Sequence, residues 1–537
     1  RGEGAKRRAR EEECRGRDMH ISSSQPAGSA CRQSRDEWMS RGGRRSRRVE
    51  GMLGGRWLWM AVLVLSLLAH GRASIFDEFD SGTEDVVPFH DREDLDQDMK
   101  DFLEWLTAKG MNFQSQVDVA ITNGTGRGLL ARRSFMPGET MLAVPPELLI
   151  TPDMARRSEV GRAFREHGLD DCSGGEDSTY ECMPLLAMHL TVLYYNESHD
   201  FHPWMKILPR KLTTPLFWSD KEREELQGSN LYNMLDGWTM NVEKLHRSTA
   251  RVLGQHNVFP DLPKAIYSLK EFKWAYATIF ARAFDVDGKS FGFSGRQRIM
   301  APMADLFNHG DVKTSYTFNA ASGHFELFTQ QFFSRGEQIF MNYDSKNNAE
   351  FLLQYGFVIE SNPHDYVGIA ASIGNDQPFY RDKEMLMKKL GFNMGDRHQL
   401  KLSGLENKSL DCLRVLCATK EEMESGESRK ILRGKQISDS NEICVYTTLI
   451  DAIEGLLSQY PTRLIDDENI IKNDLPHNVK TALILRRDEK RLLILNLSRY
   501  QRLLARLKER TKVHRVSDKS RSKRKDEDDE DDEDDEL

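Results

Sequence analysis

The residues of this 537-residue chain that could do chemistry sit in a few short segments. The run Asn123-Gly124-Thr125-Gly126-Arg127-Gly128 is a glycine-rich turn, and the missing Cβ at Gly126 and Gly128 lets a ligand come close to the backbone. It lacks the Lys-Ser/Thr of a phosphate-binding P-loop and has no βαβ setting for a dinucleotide, so by itself it reads as a hairpin. Arg282 offers a planar fork of donors suited to a carboxylate, although a single arginine is more often one half of a surface ion pair. Asp305, Asn308 and His309 stand together in Asp-x-x-Asn-His; alone, such a histidine is usually a satisfied structural residue. Tyr343, Tyr355, Phe357 and Phe284 are aromatic, and each taken singly is core. Five cysteines follow Met52, namely Cys172, Cys182, Cys412, Cys417 and Cys444, with no paired C-x-x-C spacing, so no zinc site or other metal site is readable. Cys172 and Cys182 would close a short loop in an oxidising compartment or stay as buried thiols.

The elements that must position these residues are short. Apolar residues at helical spacing over 95–106 predict a helix stopped by Gly110, followed by a strand at 117–121, the glycine-rich turn, and a strand at 140–144 after Pro137-Gly138. From about 152 to 281 the pattern is helical, with a buried helix around 185–193 and another over 274–284. Short β segments return at 303–307, 316–319, 325–329 and 338–343, separated by Gly turns. Beyond about 365 the amphipathic runs 383–390, 444–457 and 479–504 predict an α-helical second domain.

Charge is uneven along the chain. The run 526–536 carries −11 and residues 1–51 carry +6, so of the total of −8 the stretch 52–525 holds only −3. A near-neutral body lacks the basic field of a dedicated nucleic-acid binder, so no nucleic-acid partner is expected. Residues 1–51, rich in Arg, Gly and Ser, read as a disordered basic leader or a gene-model extension, and 74–94 as an acidic linker. Residues 52–73, with an apolar stretch at 57–69 and small residues Gly71 and Ala73, resemble a signal peptide too short for a stable membrane span. The terminal Asp-Asp-Glu-Leu resembles an endoplasmic-reticulum retrieval signal. A start at Met52 therefore implies the lumen of the endoplasmic reticulum or the secretory pathway. The basic patch at 521–525 before the acidic run favours the nucleus or cytoplasm instead, and 511–537 is expected to be a disordered tail. Sequons at Asn123, Asn196, Asn407 and Asn496 matter only in a lumen.

Three separated segments carry a family resemblance: NGTGRGLLARRSFMPGETMLAVPPELLIT at 123–151, MAPMADLFNH at 300–309 and GEQIFMNYDSKNNAEFLLQYGFV at 336–358. Together they resemble SET-domain protein methyltransferases, and more closely the Rubisco large-subunit methyltransferase group, to which the actin-histidine methyltransferase branch is related. The resemblance covers about residues 95–510. It implies an α+β fold: a SET-domain β-clip of short strands at 95–362, split by a helical insertion at about 152–281, then an all-α substrate-binding domain at 363–510. It implies S-adenosyl-L-methionine as cofactor, held by Gly126, Arg127, Gly128, Arg282, Asp305, Asn308 and His309, with Arg282 pairing the cofactor carboxylate. By the same likeness Tyr343 is the catalytic tyrosine, and Phe284, Tyr355 and Phe357 line a narrow channel for the substrate side chain. No Cys-rich zinc cluster follows the SET segments, which disfavours histones. The histidine branch carries an Asn two residues after the cofactor-binding Arg, where this chain has Phe284, so the resemblance favours a lysine of a non-histone protein substrate held by the helical domain. A protein-histidine methyltransferase and a catalytically silent SET-fold binding module are the alternatives, and a monomer is expected.

Overall fold

The computed structural model describes residues 95–122, 124–170, 182–287 and 296–530, with side chains as far as residue 513. The expected leader, signal peptide and acidic linker, together with Asn123, Cys172 and the terminal Asp-Asp-Glu-Leu, lie outside these residues.

Helix α1 (Gln97–Ala108) begins where the Asp96 carboxylate accepts from Met99 N at 2.8 Å, and it buries Met99, Phe102, Leu103, Trp105 and Leu106. Strands β1 (Val117–Thr122) and β2 (Gly126–Ala131) then form an antiparallel hairpin running from Val117↔Ala131 to Thr122↔Gly126. Strand β3 (Thr140–Val144) leads into the helical insertion: α2 (Pro152–Arg157), α3 (Glu159–Glu166), α4 (Met183–Tyr195), α5 (His202–Ile207), α6 (Asp220–Glu224), α7 (Asn230–Ser248), α8 (Ala250–Gln255) and α9 (Leu269–Arg282). The chain returns to short strands: β4 (Phe284–Asp287), β5 (Arg296–Ile299), β6 (Asn308–His309), β7 (Thr314–Asn319), β8 (His324–Thr329) and β9 (Gln338–Met341). They make three small sheets, ordered β1-β2-β9-β6, β3-β8-β7 and β4-β5. Helix α10 (Asn348–Tyr355) closes this body.

The second domain contains β10 (Tyr366–Ala370), α11 (Tyr380–Leu390), β11 (Arg397–Lys401), β12 (Gly404–Leu405), α12 (Asn407–Cys417), α13 (Lys420–Glu424), α14 (Asp439–Leu457), α15 (Leu464–Ile470) and α16 (His477–Glu530). Each domain has its own apolar core, and a third cluster bridges them. In it Trp218, Leu226, Leu231 and Leu235 of the insertion meet Leu352 of α10 and Ala482 and Leu485 of α16.

Four expectations need correction. Residues 303–307 form no strand; Met303 has φ 67° and starts a 3₁₀ turn at Ala304–Leu306, because a left-handed residue breaks the extended path. The helix expected over 274–284 stops at Arg282, and Phe284 opens β4. The second domain is helical but not all-α, since β10, β11 and β12 form an antiparallel sheet with Val367, Ile369 and Leu400 inward. The tail expected to be disordered from 511 stays helical to Glu530, as 477–530 holds no Gly or Pro and is rich in Lys, Arg and Leu. Cys417 and Cys444 form a disulfide between α12 and α14, a pairing that the cysteine spacing does not reveal.

Candidate active site

The centre of the site is a short parallel pairing of β6 with β9, in which Asn308 lies beside Phe340 and His309 beside Met341. Gly310 N continues it by donating to Met341 O at 3.1 Å. This pairing brings the Asn-His dipeptide next to Tyr343, which follows β9 by two residues. The Asn308 side-chain amide donates to Arg127 O at 3.1 Å and so ties β6 to β2. That approach requires Gly128: a Cβ there would stand 2.7 Å from both Asn308 Nδ2 and Gln338 Nε2. Gln338 in turn bonds Thr125 in the turn between β1 and β2, at 2.9 Å. Gly126, with φ 71°, supplies the left-handed conformation that the turn needs.

Next to this backbone frame lies a charged cluster. Asp305 is buried; its Oδ2 accepts from Trp204 Nε1 at 3.3 Å and pairs with Arg282 Nη1 at 3.4 Å, while its backbone oxygen accepts from the same nitrogen at 2.8 Å. Burial raises the Asp305 carboxyl above its ordinary range against the pull of Arg282. Arg127 Nη2 donates to Ile207 O at 2.6 Å, and burial, with Arg282 nearby, lowers its pKa. Two guanidiniums around one buried carboxylate leave an excess of positive charge, which suits a ligand bearing a carboxylate.

The aromatic part follows from α10 and its cap. Gly356 ends α10 at φ 81°, and a Cβ on it would meet Thr213 C at 2.7 Å, so glycine is needed for the turn that places Tyr355 and Phe357 on either side. Their rings are 5.9 Å apart, and Tyr355 stands 4.8 Å from Tyr343. The Tyr343 hydroxyl donates a short hydrogen bond to Phe307 O, and burial pushes its pKa up to about 12. It is therefore a neutral phenol whose proton is already committed, and its oxygen lone pairs are left to accept. His309 accepts from Tyr343 N at Nδ1, at 3.2 Å, with its ring 4.7 Å from Phe351 and 6.1 Å from Phe357. Burial lowers the His309 pKa, so near neutral pH the ring is an uncharged acceptor that holds Tyr343 in place. Phe284 is buried edge-on against Tyr316 and Phe325, each 5.1 Å away. Burial raises the Tyr355 pKa strongly, the Tyr343 and Tyr316 phenols adding to it.

The structure thus gathers Gly126, Arg127, Gly128, Arg282, Asp305, Asn308, His309, Tyr343, Tyr355 and Phe357 into one region, while Phe284 packs with Tyr316 and Phe325. Sequence reasoning missed Tyr316, Phe351 and Trp204. Phe351 precedes Tyr355 by one helical turn, a spacing that would have found it. Trp204 reaches Asp305 from 101 residues away with no local signal. Among the described residues no group of three or more His, Cys, Asp or Glu is arranged to hold a metal.

Comparison with known proteins agrees with this geometry. Residues 126–344 match the SET domain family, and 374–493 match the family described as Rubisco LSMT substrate-binding. The actin-histidine N-methyltransferase of Papio anubis is 26% identical over 431 residues, spanning 77% of this chain and 68% of that protein. The Homo sapiens protein of the same name is 25% identical over the same spans. Among solved structures, Rubisco LSMT bound to sinefungin and monomethyllysine superposes with a TM-score of 0.64 at 23% identity, and the SET domain of LSMT bound to lysine and AdoHcy with 0.65 at 24%. Each covers 77% of this chain and 94% of the other. The chain therefore carries a SET domain over 126–344, followed by a Rubisco LSMT-type substrate-binding domain over 374–493.

Proposed function

We propose that this protein is an S-adenosylmethionine-dependent methyltransferase acting on the lysine side-chain amine of a non-histone protein. The observation that carries the reading is Tyr343: a neutral phenol whose hydroxyl donates to Phe307 O and whose ring lies 4.8 Å from that of Tyr355. The cofactor supplies an electrophilic methyl on a positive sulfonium. Arg282 and Arg127 offer guanidiniums to its carboxylate, and the segment of Asn308 and His309 offers backbone and amide groups to the rest. Tyr343 orients the amine lone pair and accepts weak C–H···O contacts from the polarised methyl. An N–C bond forms as the S–C bond breaks, and the amine must first lose a proton to water, because a lysine of ordinary pKa about 10.4 has no lone pair while charged. Desolvation among Tyr343, Tyr355 and Phe357 favours the neutral amine.

The named relatives act on histidine, and that supports a second reading. Lysine is favoured by Phe284, which packs on aromatic rings and offers no polar group to hold the second nitrogen of an imidazole. Residues 74–537, incubated with labelled S-adenosylmethionine and a lysate of the source organism, should transfer label to lysine. Tyr343→Phe should slow that transfer about 100-fold or more. Label on histidine would select the second reading. Cofactor binding without transfer would leave a binding module.

We also propose a lumenal compartment, as such disulfides as Cys417–Cys444 persist in oxidising surroundings. Mass mapping of the unreduced native protein should find that bridge. Any glycan should sit on Asn123, Asn196 or the exposed Asn407 and not on Asn496, whose amide is buried and donates to Lys401 O and Leu492 O. A reduced pair would return the protein to the nucleus or cytoplasm.

A further inference from the structure

We propose that a cleft between α14 and α16 in the second domain docks an acidic segment of the protein substrate. The inference rests on the methyltransferase reading and adds to it the chemistry of the partner. The cleft has a volume of about 220 Å³ and is lined by Gln436, Tyr446, Leu503, Arg506, Leu507 and Arg510. Glu442 also borders it, but Arg414 and Gln436 hold that buried carboxylate with hydrogen bonds of 3.1 Å each, so its charge is answered within the domain. Arg510 is likewise paired, with Asp439.

What remains is unanswered positive charge. Arg506 in the cleft and Arg502 one turn earlier on α16 are exposed, and neither side chain has a hydrogen-bond or ion-pair partner among the described residues. The same holds for Arg433 and Lys435, which precede Gln436 in the chain. The stretch 499–525 holds twelve Lys or Arg against two Asp or Glu, so the field continues along the helix. Exposed guanidiniums present planar forks that match carboxylates, and Tyr446, Leu503 and Leu507 give an apolar floor for a neighbouring side chain.

An acidic polypeptide fits better than a nucleic acid. The cleft accommodates one or two side chains, it lies in the domain that continues from the substrate-binding match, and the chain from 52 to 525 carries only −3 overall. The start of the chain's own acidic run, at 526–530, is carried away from the cleft, because 16 residues of continuous helix separate Arg510 from Asp526, about 24 Å of rise.

The test uses the full chain and a fluorescein-labelled peptide of alternating Glu and Gly with one central Phe. Its Gln counterpart and poly-uridine RNA serve as competitors, and fluorescence anisotropy is the readout. The Glu peptide should bind, weaken with added salt and lose about tenfold or more in affinity with Arg502→Glu/Arg506→Glu. Lys264→Glu, an exposed charge reversal elsewhere, should leave binding unchanged. The double variant should keep its melting temperature and S-adenosylmethionine affinity, and in the lysate assay it should raise KM for the acceptor with kcat unchanged. Equal binding by the double variant, equal binding of the Gln peptide, or tighter binding of the RNA would overturn the proposal. So would a dimer that excludes the peptide, since that would give the cleft to the acidic run of a second copy. Peptide binding as expected from a protein that transfers no methyl would overturn the catalytic reading and leave the docking site standing.

Discussion

One absent methyl group at Gly128 decides where the Asn308 amide sits. A Cβ there would press on the ends of two flexible side chains, Asn308 and Gln338, so Gly128→Ala should fold. The Asn308 amide would then leave Arg127 O, and the frame beside the charged cluster would loosen. S-adenosylmethionine affinity should weaken about tenfold, the equivalent of one hydrogen bond in a part-buried site, with the melting temperature nearly unchanged. Isothermal titration beside thermal melting checks this; an unchanged affinity would remove Asn308 from the ligand frame. Phe284 poses the acceptor question. Phe284→Asn introduces an amide at a buried position and should cost roughly 1–3 kcal/mol of stability where it finds no partner. If the aromatic wall selects lysine, the variant should lose lysine labelling and gain histidine labelling, read by mass spectrometry of modified peptides. Unchanged labelling would show that Phe284 only packs the core.

Among the elements, α16 carries the contacts that set the second domain against the first. Glu489 on it accepts from Ser229 Oγ at 2.9 Å and Tyr460 OH at 2.8 Å, and burial pushes its pKa up to about 7. Asp365, after α10, is also raised to about 7 by burial, despite its bonds from Asn348. A carboxyl with a raised folded pKa favours the protonated fold, so its stabilising effect is complete below the unfolded value and fades as pH climbs to about 7. The melting temperature should therefore fall between pH 5 and pH 8, and Glu489→Gln should flatten that fall by about 4 °C. A parallel pH profile in the variant would show that Glu489 is charged throughout. The elements also show what the sequence could tell. Helix α1, the β1–β2 hairpin, β3 and the long amphipathic helices were legible because their apolar period repeats over several residues. The β10–β12 sheet was not, since its strands alternate over five residues or fewer among helical signals. The Asn-His, Tyr343 and Tyr355-Gly-Phe357 residues were visible only as separated motifs in the right order. Their meeting depends on the parallel β6–β9 pairing, which no local pattern encodes.

On the scale of the whole molecule, the two domains share a core that neither completes alone. Leu485 on α16 is buried in the cluster that contains Leu352 from α10 and Leu235 from the insertion, so three stretches far apart in sequence exclude water together. Polar contacts frame this apolar seam: His477 Nε2 lies 3.1 Å from Gly356 O, in the turn that places Tyr355 and Phe357, and Asn478 donates to Glu222 at 2.8 Å. The site's aromatic wall is therefore braced by the second domain. This arrangement predicts one calorimetric unfolding transition for the wild-type protein, raised as a unit by S-adenosylmethionine, because ligand binding to the fold stabilises everything that unfolds with it. Leu485→Ala should cost roughly 2–5 kcal/mol through lost contacts and a cavity. Leu485→Asp, which puts a charge into the seam, should split the trace into two transitions, of which only the SET-domain one responds to the cofactor. Methyl transfer should then fall although Tyr343, Arg282 and Asn308 are intact, because the Gly356 turn loses its brace. Two independent transitions already in the wild type would mean that the seam transmits no stability, and the second domain would then act as a tether for substrate alone.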